Sequence, residues 1–213
     1  VFEDLIMIAE LDGEPVAFMM TLPDLNEAIG PLNGSLFPFG WIKLLRDLPV
    51  PVIVAVDGPA YGAGLGIALT GDIILASDQA KFALPEVKVG FFAAASGVQR
   101  LSRYIGRLAA QEMMFTGRTI MADEALSMGC VNAVYPADQL MAKAMEKAEE
   151  LCGVSPSAVK ATKRVLNDMY KRDGMQDSIA YSREVIADLS KTEDFKEGVN
   201  AFVEKRKPNW VNK

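Results

Sequence analysis

Apolar residues dominate positions 4–22, DLIMIAELDGEPVAFMMTL, on both sides of Asp12-Gly13, which predicts two strands joined as a hairpin. Gly and Pro punctuate the next stretch, PDLNEAIGPLNGSLFPFGWIKLLRDLP, around short helical pieces. The run PVIVAV, residues 51–56, is short, β-branched and bounded by Pro49, Pro51 and Gly58, the pattern of a buried parallel strand. Beyond it LGIALTG has helical spacing and DIILAS reads again as a buried strand. Strand, helix and strand in that order predict a βαβ-like unit, its loop at the carboxyl end of the first strand. KFALPEVKVGFF is irregular and strand-like, and SGVQRLSRYIG opens a helix with Ser96 as its expected N-cap.

From Arg107 the pattern is nearly all helical. RLAAQEMMFTG and TIMADEALSMG lead into the strand CVNAVY, and three further helical stretches cover residues 136–151, 156–171 and 175–189. TEDFKEGVNAFVEKRKP closes the chain, with Thr192 capping its helix and Pro208 ending it. No internal repeat or low-complexity segment interrupts this order. The expected organisation is an N-terminal hairpin segment (1–47), an α/β core (48–135) and a helical C-terminal region (136–213).

Composition narrows the chemistry. The chain has 213 residues, half of them apolar, enough to bury a substantial core. A net charge of -6 and a pI near 4.8 give no basic footprint for nucleic acid. With no histidine, Ser-His and Cys-His nucleophile pairs and His-ligated zinc are excluded, so carboxylates carry any acid-base work. Cys130 and Cys152 form no CxxC pair and read as small core residues rather than metal ligands or a disulfide framework. No apolar run reaches the ~20 residues of a membrane span, and the opening VFEDLIMIAELDGE is acidic, so a cytoplasmic protein with no membrane partner is expected.

The stretch DGPAYGAGLGIALTGD sets Gly62, Gly64 and Gly66 at alternate positions between a strand and a helix. A dinucleotide fingerprint needs G-x-G-x-x-G, but position 67 is Ile; a P-loop needs a Lys after the glycines, and none follows. Two readings remain open from spacing alone. The glycines let the helix start pack closely on the sheet, or they bring backbone N–H groups and the positive end of a helix dipole against a carbonyl oxygen that becomes an oxyanion.

Over residues 48–213 the chain resembles the crotonase, or enoyl-CoA hydratase/isomerase, superfamily. The likeness is carried by LPVPVIVAVDGPAYGAGLGIALTGDIILASDQAKFALPEVKVGFFAAASGVQRLSRYIG, FTGRTIMADEALSMGCVNAVYP and KEGVNAFVEKRKPNW. It implies an α/β fold, a crotonase-like ββα spiral core truncated at its N-terminus and followed by a helical C-terminal oligomerisation region. It also implies acyl-CoA thioester substrates, an enolate-like intermediate, and no cofactor or metal beyond the coenzyme A that is part of the substrate. Ala63 falls where the family donates a backbone N–H to the thioester oxygen, with Ala60, Tyr61, Gly62 and Gly64 shaping that loop. Glu86, in LPEVKVG, falls at one of the two hydratase glutamates; read alone it is either a surface charge or, beside an apolar stretch, a general acid-base. Phe202 and Lys205 fall where members set an aromatic and a lysine against the adenine and 3′-phosphate of coenzyme A, although a basic helix end is also simply solvated. Lys160, Lys163 and Arg164 are expected on an exposed face. The Met-rich helices of 107–152 suggest a subunit interface, since the resemblance implies a homotrimer or dimer of trimers.

Several positions depart from the family pattern. Gly66 stands at the second glutamate position and has no side chain to activate water, which favours a one-carboxylate isomerase, hydrolase or lyase over the standard hydratase. Ala94 replaces a glycine that helps place the catalytic water, and Phe91 and Phe92 either narrow the acyl pocket or belong to the core. Residues 1–47 lack the A-G-A-D-like sequence that supplies the family's second oxyanion N–H. They resemble instead the middle strands of GNAT-like acetyltransferases, which places a join between two families near Arg46 to Leu48. An oxyanion hole short of one donor loses about 3 kcal/mol of transition-state stabilisation. The alternative expectation is thus a catalytically impaired CoA-binding or scaffold protein arising from a gene fusion.

Overall fold

A computed structural model describes residues 6–11, 14–20, 48–94 and 96–211, and before residue 48 it describes the strands alone. The chain forms two compact units, Val1–Leu48 with Val52–Glu146, and Pro49–Pro51 with Lys147–Lys213.

In the first unit β1 (Ile6–Leu11) and β2 (Glu14–Met20) pair antiparallel, as the hairpin pattern predicts; the Asp12-Gly13 turn itself lies outside the described residues. β2 continues antiparallel onto β3 (Ile53–Val56), with Phe18 opposite Ala55. Every residue of β3 is buried, which is why that strand is an unbroken apolar run rather than an alternating one. β5 (Ile73–Ser77) and β8 (Ala133–Tyr135) add parallel to β3, giving the order β1-β2-β3-β5-β8. A second sheet holds β4 (Pro59–Tyr61), β6 (Lys81–Ala83) and β7 (Ile120–Met121); β4 and β6 are parallel, β6 and β7 antiparallel.

The chain visits the two sheets in turn. β3 in the first sheet is followed by β4 in the second and then by helix α1 (Ala63–Ala68). β5 and β6 repeat that alternation before a 3-10 turn (Pro85–Val89) and α2 (Gly97–Tyr104). This strand-strand-helix repeat is the expected ββα spiral. α3 (Arg107–Thr116), α4 (Ala122–Ser127) and α5 (Leu140–Cys152) follow, the division between the units falling within α5. Val52, Val54, Leu65, Leu75, Phe82, Leu84, Leu101 and Met113 are fully buried and form the centre of this unit. Gly71 belongs there for want of room: a Cβ on it would stand 2.5 Å from Val54 Cγ2.

The second unit contains α6 (Pro156–Asp168), α7 (Met175–Leu189) and α8 (Glu193–Glu204). Thr192 caps α8 as expected, its hydroxyl accepting from Phe195 N at 3.2 Å. Asp194, 1% exposed, accepts from Ser157 Oγ at 2.7 Å and from Val211 N at 2.9 Å, binding the start of α6 and the tail to α8. Lys163 corrects the sequence reading. It is buried rather than on an exposed face, because its aliphatic stem packs inward and its Nζ finds the Val50 carbonyl at 2.8 Å. Arg164 is exposed as expected. Of the cysteines, Cys130 is a core residue, whereas Cys152 is exposed on the last turn of α5.

Ser96 also corrects the reading. It occupies the N-cap position of α2, but with a left-handed φ of 63° and no capping hydrogen bond from its side chain. Its hydroxyl instead accepts from Arg100 Nε at 3.1 Å.

Candidate active site

The parallel pairing of β4 with β6 decides which residues meet. Ala60 lies opposite Phe82 and Tyr61 opposite Ala83, and one residue later Gly62 N donates to Ala83 O at 2.9 Å. The end of the glycine-rich loop is thereby fixed beside the 3-10 turn that begins at Pro85 and carries Glu86. Gly62 has φ 55° and precedes the first turn of α1, so the N–H groups of Ala63, Gly64 and Leu65 open that helix without intrahelical acceptors. A Cβ on Gly62 would stand 3.1 Å from Glu86 Oε1. The carboxyl group therefore lies directly against the backbone at the helix start, a closeness that glycine alone allows without crowding. The other oxygen, Glu86 Oε2, is buried and makes no hydrogen bond among the described residues.

Ala60 is buried, while Tyr61 and Ala63 are exposed around the half-buried Gly62 and Gly64. Gly66, the position that lacks a carboxylate, is buried within α1. Phe92 and Ala94 follow the Glu86 turn on an exposed loop. Phe91 and Phe92 stack with ring centroids 5.5 Å apart and are 58% and 62% exposed, so the core reading of this pair is set aside. The structure thus brings the 60–64 loop against Glu86 at Gly62, and Phe92 and Ala94 follow Glu86 along the chain. Phe202, on α8, and Lys205, its left-handed C-cap, belong to the second unit, and both are exposed.

Sequence reasoning missed what holds α1 from behind. Arg100 Nη1 donates to Leu69 O at 3.0 Å, and Tyr104 Oη donates to the same carbonyl at 3.1 Å. Burial raises the Tyr104 pKa above its usual value, with Arg100 opposing, so the phenol keeps its proton and remains a donor. The four-residue spacing of Arg100 and Tyr104 on one helix face was the available signal. Among the described residues no group of three or more His, Cys, Asp or Glu side chains is placed to hold a metal ion, and no helix is long and apolar enough to cross a membrane.

The Enoyl-CoA hydratase/isomerase family model matches residues 39–213. The chain belongs to the enoyl-CoA hydratase/isomerase family. The match begins upstream of residue 48, where the sequence resemblance was placed, and so includes part of the segment assigned to a GNAT-like origin. Of that segment, residues 21–47 lie outside the described residues. The short-chain-enoyl-CoA hydratase of Clostridium acetobutylicum is 41% identical over 165 residues, covering 78% of this chain and 63% of that protein. The 2,3-dehydroadipyl-CoA hydratase of Escherichia coli is 37% identical over 170 residues, covering 80% of this chain and 66% of that protein. The crystal structure of an enoyl-CoA hydratase from Bacillus anthracis superimposes with a TM-score of 0.77 at 34% identity, over 81% of this chain and 66% of that one. The chain spans between 61% and 67% of the length of the curated relatives it matches.

Proposed function

We propose that this member of the enoyl-CoA hydratase/isomerase family acts on acyl-CoA thioesters through an enolate, with Glu86 as the single proton carrier. The backbone N–H of Ala63 receives the thioester oxygen as it gains negative charge, and Tyr61, Gly62 and Gly64 shape the approach. Glu86 removes a proton from one carbon of the acyl chain as the electron pair moves into the thioester, and returns it to another carbon as the enolate collapses. Double-bond migration of that kind conserves all atoms and needs no second carboxylate. The observation that carries this reading is the Glu86 carboxyl: one oxygen lies against the Gly62 backbone and the other is buried with no partner among the described residues. Gly66 favours isomerisation over two-carboxylate hydration, although the relatives are named hydratases.

The exposed Phe91 and Phe92 pair supports an apolar contact for the acyl chain, and Phe202 and Lys205, both exposed, suit the adenine and 3′-phosphate of coenzyme A. Exposed Leu108 and Phe115 on α3 support a subunit contact, as in a homotrimer or dimer of trimers, which light scattering of the purified chain would measure.

The test is turnover of a panel of enoyl-CoA thioesters by the purified chain, following double-bond migration and hydration separately. Glu86→Gln is expected to lower the rate about a hundredfold or more while leaving thioester binding in place. Gly66 also supports a second reading, a CoA-binding protein that has lost turnover. Binding without conversion by the wild-type chain would favour it, and absence of binding would overturn both.

A further inference from the structure

We propose that Arg100 is a positioning residue for this site, a single guanidinium that sets α1 and the loop following Glu86 in one register and so fixes where the first N–H groups of α1 point. The relevance to catalysis rests on the thioester reading above; the register itself does not.

α1 has little to hold it in place on its own. It is six residues long, its N-cap is a glycine without a side-chain cap, and it has no acidic residue in its first turn or basic residue in its last. A helix that short is unstable without tertiary anchors. Its C-cap carbonyl, Leu69 O, receives two donors from one face of α2: Arg100 Nη1 at 3.0 Å and Tyr104 Oη at 3.1 Å. The Arg100 bond is charge-assisted and sets a cation at the negative end of the helix dipole.

The same guanidinium also reaches back to the residue that joins the preceding loop to α2. Its Nε donates to Ser96 Oγ at 3.1 Å, and Ser96 holds a left-handed φ of 63° while its N–H donates to Ala94 O at 2.8 Å. That bond lies where the loop bearing Phe91, Phe92 and Ala94 meets α2. Left-handed backbone is unfavourable for serine and persists only where neighbours hold it. Arg100 thus acts at both places at once. Because α1 is only about 9 Å long, a displacement at Leu69 is carried to Ala63 with no hinge between.

Amide hydrogen exchange on the full chain tests the register without reference to any ligand. Arg100→Gln is expected to speed exchange about tenfold or more in segments 62–69 and 91–97, leaving β5 and α3 unchanged. Arg100→Lys, which keeps the charge without the fork, should preserve protection in 62–69 and lose it in 91–97. Unchanged exchange in both segments, or a uniform increase across the unit, would overturn the proposal. Calorimetry with crotonyl-CoA and with free coenzyme A then reads the link to the site. Arg100→Gln should weaken crotonyl-CoA about tenfold and leave free coenzyme A unaffected, and equal loss of both would overturn that link. A wild-type chain that binds no crotonyl-CoA overturns the thioester reading, while the exchange result still decides the register.

Discussion

Gly62 combines a φ of 55° with a Cβ direction that ends 3.1 Å from Glu86 Oε1. Gly62→Ala therefore imposes left-handed backbone on alanine and pushes against the carboxyl group. A loss of about 1–2 kcal/mol in chemical denaturation is expected, with a larger proportional loss in any Glu86-dependent turnover because the carboxylate itself is displaced. Gly71 makes a contrasting case. Its obstacle is Val54 Cγ2, 2.5 Å from an added Cβ, so Gly71→Ala should cost about 1–3 kcal/mol with no direct effect on the site. Adding Val54→Ala should restore part of the loss from crowding, a coupling that a double-mutant cycle measures. The chain's alternate glycines showed that backbone had to come close to something, but not to what. The answer needed the β4–β6 pairing, and strands of three residues are too short to leave a period in the sequence.

Among the elements, α8 shows how far a cap can be read ahead. Thr192 has acidic residues directly after it, and its hydroxyl donates to the nearby Leu189 O while its oxygen still accepts from Phe195 N, so the expected cap forms. Thr192→Ala should cost about 1 kcal/mol by urea denaturation. Two residues on, Asp194→Ala should cost more, about 2–3 kcal/mol, since Ser157 and the Val211 N–H lose their acceptor in a buried place. The opposite order of effects would mean that the local cap, and not the bridge to α6, holds this helix. Ser96 shows why the same reasoning failed at α2. Its hydroxyl is claimed by Arg100 from the following turn, and the residue adopts φ 63°, where a serine cannot cap in the usual way. Local pattern predicts a cap only when no other donor claims the oxygen. Lys163 failed likewise: its partner, Val50 O, is 113 residues away and lies on a segment with no pattern pointing to α6.

For the whole molecule, the parallel core and the helical second half were legible because long apolar runs and helical periods survive burial. The second sheet was not, since β4, β6 and β7 have three, three and two residues. One consequence of the core can be tested at this scale. Cys130 is 3% exposed in the first unit, and burial pushes its pKa from 9.0 up to about 12. The folded chain therefore keeps the thiol proton where the unfolded chain gives it up. This contribution to stability is fully present below pH 9.0 and is lost as the pH rises from there towards about 12. The urea midpoint of the wild-type chain should consequently fall more steeply between about pH 9 and pH 11 than that of Cys130→Ala. Lysine and tyrosine titrations occur in both proteins and cancel in the comparison. Parallel slopes for wild type and Cys130→Ala would show that the Cys130 proton is not linked to unfolding. The alkaline loss would then have to come from groups common to both proteins.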